Sequence, residues 1–276
     1  MYKRGLAEYD EIIMMPGSKA FDPNIKVKEG KHMMNRKIEL LKKIINESSY
    51  TVAICGSGMM EEGGYIGVKK QERAYEIEEK YGVSPEDIFT GSYYNTRPER
   101  FFRFYKNEML HYMPQSTASA EVLARMEREG KLQCLITANI YSIARRAGVK
   151  NVLEIHGSIY HNKCQRCGKD YSMEYVRDAK GVPVCEKCKS IIRPQILLFG
   201  EMMDASMITR TTEEVEKAEV LLVLGTTLKS EVYSNYIRYF NGKYLVVIHD
   251  EDHYEDHKAD LVIKDQPKNV LPKIFD

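Results

Sequence analysis

The most informative segment of the chain is residues 154–201, which begins Glu154-Ile155-His156-Gly157. Two cysteine pairs follow, Cys164-x-x-Cys167 and Cys185-x-x-Cys188, with seventeen residues between them. The segment ends Arg193-Pro194-Gln195-Ile196-Leu197-Leu198-Phe199-Gly200-Glu201. Two close cysteine pairs at this separation match the ligand spacing of a structural zinc ribbon. Disulfide bonds and four unrelated buried cysteines are the alternatives, and the absence of a secretory signal argues against disulfides. Because four sulfur ligands close the coordination sphere of Zn²⁺, we expect the metal to be structural.

The two segments that flank this ribbon resemble strand ends of a larger α/β domain. One run ends at His156-Gly157, and a second, Gln195–Phe199, ends at Gly200-Glu201. The sequence therefore predicts a zinc ribbon over residues 158–190, inserted between two strands of a parent sheet. Ligands of such folds bind at the carboxyl ends of parallel strands. His156 is thus a candidate general base, with a hydrogen-bonded structural histidine as the alternative.

Composition and charge exclude several classes of partner. The chain has 276 residues, and 41 Lys and Arg against 40 Asp and Glu give a net charge of +1. This balance favours neither nucleic acid nor a membrane surface. No apolar run reaches the roughly 18 residues of a membrane span, and no signal peptide is recognised, so we expect a reducing, cytoplasmic location. Cys55 and Cys134 lie within apolar runs and are interpreted as buried thiols.

The rest of the chain alternates between apolar strands and amphipathic helices. This pattern predicts a doubly wound, parallel, Rossmann-like sheet formed by residues 34–157 and 191–276, with a helical insert at about 59–113. Residues 1–33 are predicted to be an N-terminal extension, to which we assign no chemistry. Predicted elements include the helices 97–113, 204–217 and 232–240 and the strands 51–55, 132–136, 152–155, 195–199, 220–224, 244–248 and 261–263.

A glycine-rich turn follows the first predicted strand, Thr51–Cys55, and reads Gly56-Ser57-Gly58. Such a turn before a helix suits a phosphate group, because glycines let the backbone approach a pyrophosphate. The third glycine of the dinucleotide-binding pattern is replaced by Glu61. A phosphate cradle and a plain tight turn both remain open.

Three further predicted strands end in polar clusters, which are Thr137-Ala138-Asn139, Gly225-Thr226-Thr227 and His249-Asp250-Glu251. Each cluster alone is explained equally by helix capping. In a doubly wound sheet, however, they should converge with Gly56–Gly58 and His156 at one edge. Asp250 or Glu251 is suited to hydrogen bonding with ribose hydroxyls.

With these motifs in order, the sequence resembles the sirtuin family of NAD-dependent protein-lysine deacylases from about Asn35 to the C-terminus. Ala53–Gly58 is similar to the family's G-A-G phosphate loop, Thr137–Ile140 to its T-Q-N-I-D segment, and His156-Gly157 to its catalytic H-G. Four further motifs follow in the family's order: the cysteine pairs, Arg193 to Glu201, Gly225 to Leu228, and the tail from Asp256 to Asp260.

The resemblance implies a set of roles. NAD would bind through Gly56, Ser57, Gly58, Thr137, Asn139, Gly225, Thr226, Thr227, His249 and Asp250. An acylated lysine of a protein or peptide would lie beside Phe199, Gly200 and Glu201 as an added strand. His156 would act as base on a ribose hydroxyl while Asn139 orients the ribose or water, and the products would be free lysine, nicotinamide and O-acyl-ADP-ribose.

The sequence departs from the family pattern on the NAD side. The family's G-I-P-D-F-R becomes Gly64-Tyr65-Ile66-Gly67-Val68-Lys69, its Gln becomes Ala138, its nicotinamide-pocket Asp becomes Tyr141, and an expected Asn becomes His249. Three functions follow from this pattern: a divergent deacylase, an ADP-ribosyltransferase or NAD hydrolase on the same fold, and a non-catalytic or NAD-impaired binding protein.

Overall fold

The computed structural model describes residues 23–275, with side chains from His32 onward. The described residues divide into two compact units, residues 23–36 and 37–275. Residues 1–22 of the predicted N-terminal extension lie outside the described range. The first helix, α1, spans Pro23–Glu47. Four of its apolar residues are buried: Ile38, Leu41, Ile44 and Ile45.

A six-stranded parallel sheet forms the centre of the second unit, in the order β3-β2-β1-β7-β8-β9. Its strands are β1 Thr51–Cys55, β2 Cys134–Thr137, β3 Val152–Glu154, β7 Val220–Leu224, β8 Tyr244–His249 and β9 Leu261–Lys264. Every residue of the central strands β1 and β7 is buried, because helices cover both faces of the sheet. The predicted doubly wound fold is confirmed.

Helices connect these strands and begin at recognisable caps. Thr117 and Asp204 accept hydrogen bonds from the backbone of the first helical turn, as N-cap residues do. The helices are α2 Gly58–Glu61, α3 Gln71–Tyr81, α4 Pro85–Ile88, α5 Gly91–Thr96, α6 Pro98–Phe104, α7 Ala118–Arg128, α8 Ile143–Ala147, α9 Met173–Asp178, α10 Ala205–Lys217, α11 Ser234–Ile237 and α12 Pro267–Val270, with short 3-10 turns at Asp256–Lys258 and Leu271–Phe275.

The single helix predicted over residues 97–113 is instead α6 followed by a π-helix, Tyr105–Leu110. The wider turn places Lys106 in the interior, where its ammonium donates to the carbonyls of Ala179 and Gly181 at 2.6 Å each. Side chains of this segment are therefore fixed by contacts with the zinc-ribbon region, which sequence periodicity cannot reveal.

A second, antiparallel sheet of three strands has the order β5-β4-β6. Its strands are β4 Gly157–Cys164, β5 Asp170–Tyr171 and β6 Ile192–Ile196. The prediction that residues 195–199 form a strand of the parallel sheet is wrong, because β6 pairs with β4 from Cys164↔Ile192 to Gly157↔Ile196. The apolar side chains of Ile192 and Ile196 are buried in the core of this smaller sheet rather than beside β3.

Among residues 37–275, two hydrophobic cores are formed by described side chains. One joins the helical insert to the three-stranded sheet and contains the aromatic side chains of Phe101, Phe102 and Tyr105 together with Ile192. The other lies between the parallel sheet and helices α10 and α11. Among residues 23–275, no helix has both the length and the apolar character needed to cross a membrane.

Candidate functional site

The carboxyl ends of β1, β7 and β8 are tied together by backbone hydrogen bonds. Gly56 N donates to Leu224 O (2.9 Å), Gly58 N to Gly225 O (3.0 Å) and Gly225 N to Ile248 O (2.9 Å). A cleft of about 250 Å³ opens above this junction. Seven residues predicted to bind the cofactor line it: Ser57, Gly58, Gly225, Thr226, Thr227, His249 and Asp250. Further lining residues are Glu61, Lys70, Ser230, Glu251, Gln266 and Pro267.

Gly56 and Gly58, in the loop after β1, are required because this loop packs closely against the loop after β7. A Cβ atom on Gly56 would lie 2.3 Å from Thr226 Cβ, and one on Gly58 would lie 2.8 Å from Gly225 Cα. Gly225 itself has φ +60, a conformation that disfavours side chains. The two loops therefore pack backbone against backbone and form a close, shallow floor that suits a pyrophosphate.

Asp250 is held by a partner far along the chain. Gln266 Nε2 donates to Asp250 Oδ2 at 2.9 Å, which leaves the other carboxylate oxygen for a ligand hydroxyl. His249 is buried, and its Nε2 lies 3.0 Å from Asp256 Oδ1. Burial alone would raise the pKa of Asp256, but hydrogen bonds from Lys264 and His249 outweigh it and lower that pKa. The imidazole of His249 thus supports the loop that carries Asp250.

Thr137 and Asn139 lie outside this cleft, beside a small cavity of about 20 Å³ that Cys55 also lines. Thr137 Oγ1 donates to Cys55 O (3.1 Å) and accepts from Asn139 N (3.0 Å). Asn139 Oδ1 accepts from Tyr141 N at 2.7 Å. One lone pair of this oxygen is used by a backbone N–H, so the Asn139 side chain keeps its amide donors and a second lone pair for a ligand.

His156 follows β3 and joins the two sheets, since its carbonyl accepts from Leu197 N at 2.9 Å. Its side chain is half-buried. Burial lowers the pKa of His156, and the positive charge of Lys69 lowers it further. The imidazole is therefore neutral at pH 7 and able to accept a proton.

The loop of residues 199–201 is held by hydrogen bonds to the helical insert and to Arg193. Phe199 N donates to Phe89 O (3.0 Å), and Phe199 O accepts from Gly91 N (3.2 Å). Glu201 accepts from Arg193 Nη2 with both carboxylate oxygens at 2.7 Å, and its Oε2 also accepts from Leu198 N at 2.8 Å. The Glu201 carboxylate therefore holds the loop closed.

Lys69 connects this loop to His156. Its Nζ lies 4.0 Å from the centroid of the Phe199 ring, and its charge acts on the His156 imidazole. The Phe199 side chain keeps 38% of its surface exposed. The structure thus brings the predicted base and the predicted substrate loop to one place.

Tyr141 occupies the position where the family pattern has an acid. Its hydroxyl donates to Tyr65 Oη at 2.8 Å, and the two ring centroids are 4.9 Å apart. Both rings are buried, and burial raises the pKa of Tyr141 well above 10. The position of the family's acid is thus filled by two buried tyrosine rings that carry no charge at neutral pH.

The four ribbon cysteines fit a zinc ion. Their sulfur atoms all lie within 4.8 Å of one another, with Cys164 Sγ 3.3 Å from Cys188 Sγ and Cys167 Sγ 3.6 Å from Cys185 Sγ. Sulfurs about 2.3 Å from a tetrahedral zinc are separated by about 3.8 Å. All six cysteines of the chain are free thiols, so the four are available as ligands.

Sequence reasoning missed Lys70, Gln266 and the contacts of Lys69. Lys70 Nζ lies 3.1 Å from Glu61 Oε1 at the edge of the cleft. Gln266 is 16 positions from Asp250, beyond β9, and no local pattern marks it as a partner. Lys69 stands at the family's arginine, a signal that the site is near but not that it faces Phe199.

Comparison with known proteins agrees with this geometry. The model of the Sir2 family matches residues 56–233. A relative from Clostridium acetobutylicum, an NAD-dependent protein deacetylase, is 35% identical and aligns over 87% of this chain and 98% of its own.

Solved structures give the same result. One from work on the structural basis of sirtuin substrate affinity is 28% identical and covers 86% of this chain and 96% of its own, with a TM-score of 0.77. A complex of Sir2 with a p53 peptide and NAD+ is 26% identical with a TM-score of 0.73, at 86% and 96% coverage. The fold, the motif order and these similarities together establish that the chain belongs to the Sir2, or sirtuin, family.

Proposed function

We propose that this protein is an NAD-dependent protein-lysine deacylase. The observation that carries the proposal is a neutral His156 whose carbonyl accepts from Leu197 N, two residues before Phe199, at the same carboxyl edge of the sheet as the cleft beyond β1, β7 and β8. Relatives that carry the name NAD-dependent protein deacetylase, and a Sir2 complex with a peptide and NAD+, support it.

Different residues of the cleft would bind different parts of NAD. The loop Gly56–Gly58 and Thr226 would contact the pyrophosphate, and Asp250 would accept from ribose hydroxyls. Lys70 supplies a cation at the cleft edge that is suited to a phosphate. Bound NAD would supply a ribose carbon that can be attacked when nicotinamide leaves.

The other residues would act on the acyl-lysine and the ribose hydroxyl. The exposed face of Phe199 offers an apolar wall to the lysine stem, and Gly200 leaves room for the peptide backbone. The neutral imidazole of His156 accepts a proton from a hydroxyl group. Asn139 donates from its amide nitrogen and so orients an oxygen acceptor.

The test is incubation of the protein with NAD and a panel of acylated peptides. We expect nicotinamide release coupled to loss of the acyl mass from the peptide, and we expect His156→Ala to abolish both. His161→Ala, which removes an exposed histidine from β4, is the matched control and should retain activity. Release that is equal in wild type and His156→Ala, or no release with any acyl group, would contradict the proposal.

The buried Tyr65–Tyr141 pair favours a second candidate, ADP-ribosyl transfer or NAD hydrolysis. A protonated tyrosine replaces the acid of the family's nicotinamide pocket, so amide recognition on this side differs. ADP-ribose that appears on protein or in solution without any acylated peptide would support this reaction. Saturable NAD binding in calorimetry without turnover would instead indicate a binding protein.

A reducing compartment such as the cytoplasm remains part of the proposal, because the four ribbon cysteines bind zinc only in their reduced form.

A further inference from the structure

The zinc ribbon contains a tyrosine whose hydroxyl group contacts a ligand sulfur. Tyr171 lies on β5, opposite Asn162 of β4, and is 8% exposed. Its hydroxyl lies 3.1 Å from Cys185 Sγ and 2.9 Å from the backbone nitrogen of Glu186. The hydroxyl thus bridges a ligand and the backbone between Cys185 and Cys188.

The direction of these two hydrogen bonds is fixed by chemistry. The Glu186 backbone N–H can only donate, so it occupies a lone pair of the Tyr171 oxygen. The hydroxyl hydrogen is then free to point at Cys185 Sγ, which is an acceptor when it is a thiolate ligand. Tyr171 therefore presents an O–H donor to one of the four sulfurs.

We propose that Tyr171 is a positioning residue for the zinc ion. Its hydroxyl fixes the orientation of Cys185 and withdraws electron density from that sulfur, which makes the thiolate less reactive toward protons, oxidants and competing chelators. Hydrogen bonds to metal ligands typically change metal affinity about 10–100-fold. The proposal rests on the ribbon cysteines and does not depend on the deacylase reaction.

A packing role for the same residue is the competing explanation. The Tyr171 ring contacts the Tyr175 ring at 4.6 Å between centroids, and Lys169 Nζ lies 5.1 Å from it. Tyr171→Phe keeps the ring and these contacts and removes only the hydroxyl group. Tyr175→Phe is the matched control, because the Tyr175 hydroxyl donates to the Val184 carbonyl at 2.9 Å rather than to a sulfur.

The experiment compares full-length wild type, Tyr171→Phe and Tyr175→Phe. Zinc affinity is measured by competition with a chromophoric chelator, and the sulfur-to-metal charge-transfer band is recorded after Co²⁺ replaces Zn²⁺. We expect Tyr171→Phe to weaken zinc binding about 10–100-fold and to shift the band, and Tyr175→Phe to change neither. Unchanged affinity with an unchanged band in Tyr171→Phe, or equal effects of both variants, would overturn the proposal.

A second measurement covers the case in which Tyr171→Phe does not fold. In wild type loaded with ¹¹³Cd, the proposal requires a Tyr171 hydroxyl proton that exchanges slowly with water and is scalar-coupled to the metal. A hydroxyl proton that exchanges as fast as that of Tyr175 would overturn it.

Discussion

At the scale of single residues, the site is organised by how burial and nearby charge set protonation. His156 is half-buried near a lysine, so its neutral form is favoured. Tyr65 and Tyr141 are buried together, and burial raises the pKa of both phenols. The base is thus ready to accept a proton, while the tyrosine pair stays protonated and uncharged at neutral pH.

Lys69 is predicted to set the acid limb of the activity profile. A base works only when unprotonated, so activity rises with pH through the pKa of His156, which lies below 6.5. Lys69→Gln removes the repelling charge and should move the acid limb to higher pH, whereas Lys69→Arg should leave it in place. The measurement is the pH dependence of kcat/KM for nicotinamide release. A limb that does not move in Lys69→Gln would contradict the assignment.

The tyrosine pair is predicted to behave as one unit in stability. Tyr141→Phe removes the hydrogen bond that the buried Tyr65 hydroxyl accepts, and this loss should lower the free energy of unfolding by about 1–3 kcal/mol. Adding Tyr65→Phe removes the stranded group, so the double variant should lose less than the sum of the two single variants. Urea denaturation of all four proteins measures this coupling. Strictly additive losses would show that the hydroxyls do not depend on each other.

At the scale of elements, two loop contacts shape the site. The loop after β1 and the loop after β7 touch backbone to backbone through Gly56, Gly58 and Gly225. The loop of residues 199–201 is closed by its own carboxylate, which binds Arg193. Both contacts fix backbone in segments that follow strands of the two sheets.

Gly56→Ala is predicted to destabilise the protein, because the new methyl group meets Thr226 Cβ and the Gly225 carbonyl. Overpacking of this kind costs about 1–3 kcal/mol. Gly67→Ala is the matched control, since a Cβ there has no neighbour within 4 Å. The shift in denaturation midpoint measures the difference. Equal midpoints for the two variants would refute the close packing of the loops.

Glu201→Gln is predicted to make the loop of residues 199–201 more mobile without changing the affinity for NAD. The change removes the charge that binds Arg193, a contact whose arginine side chain is only 12% exposed. We expect the KM for acylated peptide to rise about tenfold, equivalent to ~1.4 kcal/mol, with unchanged NAD affinity in calorimetry. Glu129→Gln breaks an exposed ion pair with Arg125 and should change neither value. A parallel loss of NAD affinity would place Glu201 in the other half of the site.

At the scale of the whole molecule, the helical insert and the three-stranded sheet share one hydrophobic core. That core includes Cys164 and Cys185 as well as Phe101 and Tyr105. Lys106 adds hydrogen bonds from the π-helix to the carbonyls of residues 179 and 181. The state of the zinc ligands is therefore linked to the helices that surround the substrate loop.

Removal of zinc is predicted to unfold the ribbon and to disturb the insert while the parallel sheet persists. Structural zinc supplies about 10–16 kcal/mol of apparent binding free energy in small ribbons and fingers. The chain has no tryptophan and 19 tyrosines, so near-ultraviolet circular dichroism reports tyrosine packing directly. We expect a strong chelator to abolish much of this signal and to leave most of the far-ultraviolet signal.

Metal analysis provides the control for that experiment. Wild type should contain one zinc per chain, Cys185→Ala should lose it, and Cys134→Ser should retain it because Cys134 lies in the parallel sheet. An unchanged near-ultraviolet tyrosine signal after zinc has been removed by the chelator would show that the ribbon stays folded without metal.

Elements with a local signal could be predicted from the residues alone. The apolar runs at 51–55 and 220–224 are β1 and β7 to the residue, and the cysteine spacing identified the ribbon ligands. Of the polar clusters expected to converge, those after β1, β7 and β8 line one cleft, because parallel strands share one carboxyl edge, whereas Thr137 and Asn139 after β2 line a separate small cavity.

The tertiary structure was needed to find the contacts between distant segments. It moved residues 192–196 to the smaller sheet, set Lys69 against Phe199, and paired Tyr65 with Tyr141 across 76 positions. Local periodicity reports which side of an element is buried, but not which other element covers it. The character of this site is set by such long-range pairings, and they exist only once the two cores have packed.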